Sequence, residues 1–102
     1  DDLFKGVGIW GAPFEVESAL VSHPAVAEAA VVGQDDEDGL TKPKAFVVLE
    51  PGRMPNAALF EELRLHVKEK AGPWKYPRWI EAIAELPKTA TGKIQRFKLR
   101  GG

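Results

Sequence analysis

The sequence contains no cysteine, which removes disulfides, thiolate metal sites and thiol redox chemistry from consideration. No stretch approaches the ~20 apolar residues of a membrane-spanning helix, and the opening DDLFKGVGIWGAP lacks the basic segment and apolar centre of a secretory signal. Charge of one sign is lacking too. Lys and Arg number 14 against 15 Asp and Glu, a formal net charge of -1, so nothing draws the whole molecule to nucleic acid or an anionic membrane. There is neither an internal repeat nor a low-complexity tract. These absences are compatible with a reducing cytoplasm, which is the expected location. A start at Asp1 rather than Met, inside a charged and glycine-rich stretch, points to a segment of something longer.

What is present is enough for one modest core: 102 residues, 44% apolar and 28% charged. Residues 3–11 alternate apolar side chains with glycine and read as a short hairpin or loop. Pro13 suits a first helical turn, Glu15 and Glu17 favour its positive end, and Val16, Ala19 and Leu20 share a face, with His23-Pro24 as the stop. Val26–Gly33 and Lys44–Leu49 are apolar, β-branched runs on either side of the turn-rich QDDEDGLTKP, so two antiparallel strands are expected. A second helix should start after Asn56 as cap, turn Leu59, Phe60, Leu63 and Val67 inward, and stop at Lys68, Lys70 and Gly72. Residues 79–83 alternate weakly as a third strand, before the loop LPKTATGK and a short basic helix, IQRFKLR. The expected fold is α+β: a small three-stranded sheet with helices packed on it, preceded by a short Gly-rich hairpin or loop.

Several motifs fail on inspection. Gly6-Val7-Gly8-Ile9-Trp10-Gly11 spells the dinucleotide fingerprint, but only five residues precede it, too few for the strand and βαβ unit it requires. Its glycines then mark either backbone passing close to a thin ligand or strand, or a plain loop. Thr89-Ala90-Thr91-Gly92-Lys93 carries the Gly-Lys pair of a phosphate loop. The first glycine of that motif would fall on Pro87 and its hydroxyl on Ile94, so a magnesium-holding phosphate loop is excluded. What remains is a lysine after a Thr-Gly bend, a point charge on a flexible stem that suits developing negative charge on phosphate or carboxylate; the plain alternative is a solvated lysine. Asp35-Asp36-Glu37-Asp38-Gly39 crowds oxygen ligands, but with Gly39 as the calcium-loop glycine the bidentate Glu position falls on Ala45. Trp74-Lys75-Tyr76-Pro77-Arg78 interleaves aromatic faces with cations, a mixture that stacks a nucleobase and meets its phosphates, or else covers a helix end. The basic tail from Lys88 to Arg100 fits no known nucleic-acid fold in this element order, and neither His23 nor His66 has a partner at ligand spacing, so no metal is expected.

PKTATGKIQRFKLR resembles the closing motif of the acyl-CoA synthetase, luciferase and nonribosomal-peptide adenylation superfamily. The similarity spans the chain, from DDLFKGVGIWGAPFEVESALVSHPAVAEAAVVG through KPKAFVVL to KYPRWIEAIAELPKTATGKIQRFKLR, the last especially like benzoate-CoA ligases. The resemblance implies that residues 1–102 are the C-terminal lid domain of an acyl-CoA synthetase, inactive without the large N-terminal domain that holds Mg-ATP and the acid. It implies that Lys93 contacts the acyl carboxylate and α-phosphate during adenylation and that Asp1 is the hinge about which the lid turns. Gly8, Ile9 and Trp10 would line the tunnel for coenzyme A, with Trp74 against its adenine and Lys75 and Arg78 near its phosphates. The implied partners are the N-terminal domain, an aromatic or other carboxylic acid, and CoA. In an alternative reading, the domain is a recognition module and Lys93 the substrate of a protein lysine acetyltransferase, which would remove the charge.

Overall fold

A computed structural model describes residues 13–72, 76–95 and 98–99. The expected hairpin or loop over residues 3–11 lies outside them. Helix α1 spans Pro13–Val21 with Glu15 in its first turn. Strand β1 covers Val26–Asp35 and β2 Thr41–Leu49, helix α2 is Ala57–Ala71, and β3 is Trp79–Ala82. The sheet has the order β1-β2-β3, antiparallel between the first two and parallel between β2 and β3. A parallel return needs a long crossover, and α2 supplies it.

The two long strands run past their apolar centres. Pairing continues through Gln34↔Lys42 to Asp35↔Thr41 because ladder bonds are made by backbone, which exposed polar residues provide as well as apolar ones. Asp36 closes the turn: its Oδ1 accepts from the Leu40 and Asp38 amides at 3.0 and 2.9 Å, and Gly39 adopts φ +78°. Pro43 sits inside the central strand without harm. Its carbonyl accepts from the Arg78 amide at 2.8 Å, so its nitrogen also faces the β3 side, ahead of the first β3 pair at Lys44↔Trp79.

Both faces of the sheet are covered, which accounts for the near-continuous apolar run in β1. On one face Val16, Ala19 and Leu20 of α1 and Leu59, Leu63 and Val67 of α2 pack on Val26, Ala29, Val31, Ala45 and Val47, with Phe60 only partly buried at the margin. On the other, Ala30, Val32 and Phe46 meet Leu86, flanked by Ile83, Ile94 and Leu99. The helix α2 is bounded as its sequence dictates. Asn56 Oδ1 accepts the Leu59 amide at 2.8 Å, and the amide of Gly72, at φ +115°, returns to the Lys68 carbonyl.

One expected element is different. Ile94 does not open the expected helix; it bridges antiparallel to Lys88, and helical character appears later, at Lys98, whose amide bonds the Gln95 carbonyl at 3.0 Å in a 3-10 turn. The apolar residues Ile94 and Leu99 gain more by seating on the sheet than a short isolated helix could recover.

Candidate active site

The face opposite the helices presents Lys93. Leu86, 4% exposed, anchors the segment in the apolar cluster, and the chain then folds back so that Lys88 pairs with Ile94. Four contacts close the loop between them. The Thr89 amide donates to the Lys93 carbonyl at 2.8 Å, the Gly92 amide to the Thr89 carbonyl at 3.0 Å, and the Lys93 amide to Thr89 Oγ1 at 3.1 Å, while the Thr89 and Thr91 hydroxyls lie 3.0 Å apart. Gly92, at φ +89°, takes the left-handed conformation that ends such a three-residue loop. Nothing lies within 4 Å of where its Cβ would be, so backbone strain rather than crowding selects glycine here.

The Lys93 side chain emerges exposed from this closed turn. Ion pairs among the described residues engage Lys42, Lys44, Lys88, Arg64 and Arg78, and none includes Lys93. A rigid backbone thus carries a solvated ammonium group on a flexible stem, an arrangement that can meet an anion delivered from outside the domain.

The other expected contacts divide. Arg78 stands just ahead of β3, near the β1–β2 turn, 47% exposed, with its guanidinium 5.5 Å from the Trp79 ring centre and 3.7 Å from Glu37. A phosphate arriving there would have to compete with Glu37. Asp1, Gly8, Ile9, Trp10, Trp74 and Lys75 lie outside the described residues.

The histidines are brought together although sequence spacing keeps them apart. His23, 6% exposed, and His66 meet edge to face with ring centres 5.1 Å apart, joining the end of α1 to the middle of α2. The Ala25 amide donates to His23 Nδ1 at 3.0 Å, leaving Nε2 to donate to Glu62. Ser22 Oγ donates to the Ala19 carbonyl at 2.6 Å and faces His66 Nε2 at 2.7 Å. Burial holds the His66 pKa below its ordinary value, helped by His23 and Lys70 and opposed by Glu69 and the Ala19 backbone. Among the described residues no group of three or more His, Asp or Glu is arranged to hold a metal ion. The pair reads as a tie between helices. No sequence signal announced it, because the contact joins residues 43 positions apart (66 − 23).

Comparison with known proteins agrees with the fold. The family model of the AMP-binding enzyme C-terminal domain matches residues 15–93. The benzoate–CoA ligase of Thauera aromatica is 63% identical over 100 residues, 98% of this chain and 19% of that ligase. The 4-hydroxybenzoate–CoA/benzoate–CoA ligase of Rhodopseudomonas palustris is 58% identical over 101 residues, again 98% of this chain and 19% of the relative. A crystal structure of a benzoate CoA ligase from Burkholderia xenovorans superposes with a TM-score of 0.85 at 56% identity, covering 98% of this chain and 19% of that one. The chain therefore spans about a fifth of the length of these relatives. These matches lend no support to the reading of the domain as an acetyltransferase substrate. An exposed lysine on a closed hairpin, a two-faced three-stranded sheet and a family match across residues 15–93 lead to one conclusion: the chain belongs to the family of AMP-binding enzyme C-terminal domains.

Proposed function

We propose that this chain is the C-terminal domain of an ATP-dependent, AMP-forming acyl-CoA ligase whose acid is benzoate or a related aromatic carboxylate. The observation that carries the proposal is the exposed Lys93 ammonium, outside every ion pair among the described residues, on a hairpin closed by its own hydrogen bonds. The aromatic acid rests on the names of the relatives at 63% and 58% identity.

In the reaction, a carboxylate oxygen attacks the α-phosphorus of ATP and the bond to pyrophosphate breaks, giving acyl-AMP. Negative charge builds on the α-phosphoryl oxygens as the attacking carboxylate approaches. A preformed cation at that point lowers the barrier because it stabilises charge that is greatest in the transition state. Lys93 supplies that cation. The nucleotide, its magnesium and the acid are held by the partner N-terminal domain. In the second step the CoA thiol attacks the acyl carbonyl and AMP leaves, with Gly8, Ile9 and Trp10 beside the pantetheine path and Trp74, Lys75 and Arg78 toward the nucleotide end of CoA. Asp1 serves as the hinge between the two arrangements.

The test uses the complete ligase. Lys93→Ala should lower benzoate-dependent exchange of pyrophosphate into ATP by about 10²–10³-fold, while thioester formation from supplied benzoyl-AMP and CoA persists. Equal losses in the two half-reactions would remove Lys93 from the adenylation step.

A further inference from the structure

The base of the Lys93 hairpin is tied to the far edge of the sheet by one ion pair. Lys88 Nζ lies 2.6 Å from Glu28 Oε1 on β1, the two side chains being 38% and 42% exposed. Lys88 is also the hairpin residue that bridges Ile94, so a force on its side chain is felt directly at the strand from which Lys93 projects.

Glu28 reaches this face because β1 is irregular. Val26 pairs with Leu49 and Glu28 with Val48, so two steps along β1 are matched by one along β2. Strand side chains alternate between faces, and an extra residue resets that alternation. Val26 accordingly packs in the helix-side core with Ala29 and Val31, while Glu28 falls in phase with Ala30 and Val32, whose cluster includes Leu86 and Ile94. In a regular strand Val26 and Glu28 would share a face, and either a valine would leave the core or a carboxylate would enter it. The bulge satisfies both and delivers a negative charge to the hairpin.

Resting on the reading of Lys93 given above, we propose that Glu28 is a positioning residue for adenylation: through Lys88 it fixes the angle at which the hairpin presents Lys93. Neutral Thr89 closes the loop, apolar Leu86 and Ile94 seat it, and the Glu28–Lys88 pair sets its lean about that seat. The pair is partly exposed, so its effect is limited and sensitive to salt.

In the complete ligase, Glu28→Gln should lower the pyrophosphate-exchange rate about two- to fivefold, leave thioester formation from supplied acyl-AMP unchanged, and lose part of its difference from wild type as ionic strength rises. The reversed pair, Glu28→Lys with Lys88→Glu, should recover most of the exchange rate. Proportionate loss in both half-reactions, or no recovery in the reversed pair, would reduce Glu28 to a stabilising contact and overturn the proposal, as would an exchange rate untouched by Glu28→Gln in an enzyme that Lys93→Ala inactivates. If Lys93→Ala itself spared adenylation, the assignment of Lys93 would be what failed.

Discussion

Two hairpins of this domain are built alike and end differently. In residues 35–41 and 88–94 a side-chain oxygen closes the turn by accepting a backbone amide four residues on, Asp36 Oδ1 from Leu40 and Thr89 Oγ1 from Lys93, and each turn uses a glycine at positive φ. Each also has a lysine close by. Lys42 is taken up by Asp36, with Nζ to Oδ2 at 3.2 Å, whereas Lys93 is held by no ion pair among the described residues. The closing group makes the difference. A carboxylate that caps a turn also captures a neighbouring cation; a hydroxyl makes the same backbone bond and leaves the cation free. The adenylation role proposed for Lys93 needs the second kind.

Exchanging the closing groups should break the contrast. Thr89→Asp is expected to keep the turn but draw Lys93 onto the new carboxylate; partial capture of a charge worth about 10²–10³ in rate should slow adenylation roughly tenfold, with Thr89→Ser near wild type. An unimpaired pyrophosphate exchange in Thr89→Asp would separate loop chemistry from lysine availability. Gly39→Ala and Gly92→Ala sharpen the comparison, since each forces a side chain into left-handed backbone at about 1–2 kcal/mol, with open space around both. Similar losses of urea midpoint are expected, but only Gly92→Ala should also slow adenylation.

The smallest effects concern pH. For His66 the folded-state pKa lies below the ordinary 6.5, so the unfolded chain takes up the proton first and stability falls as pH drops below 6.5. His66→Gln should flatten that slope in urea titrations between pH 7.5 and 5.5. For Asp36 the Leu40 amide bond, aided by Lys42 and the Asp38 amide and opposed by partial burial, lowers the pKa below 3.8. Its contribution is therefore present above 3.8 and is lost only in stronger acid, so Asp36→Asn should leave the His66 slope intact.

Much of this was legible along the chain. Asn56 and Gly72 bound α2 because capping is a matter of a few adjacent residues, and Val16, Leu20, Leu63 and Val67 were marked as core by helical spacing. Lys93 stood out through its Thr-Gly bend and the resemblance of PKTATGK to a family motif. Less legible were the ends of β1 and β2, where polar residues continue the ladder, and the start of the helical turn after Lys93, since the sheet takes up Ile94 ahead of the 3-10 turn at Lys98.

By itself the order of residues determined where α1 and α2 start and stop, which positions are apolar on each strand, and which lysine follows the Thr-Gly bend, because these depend on neighbours a few positions apart. Only the tertiary structure decided that β3 lies parallel to β2, that His23 meets His66, and that a bulge sends Glu28 to Lys88. Those outcomes depend on which surfaces of distant segments are buried together, a property of the packed sheet that no short stretch of chain contains.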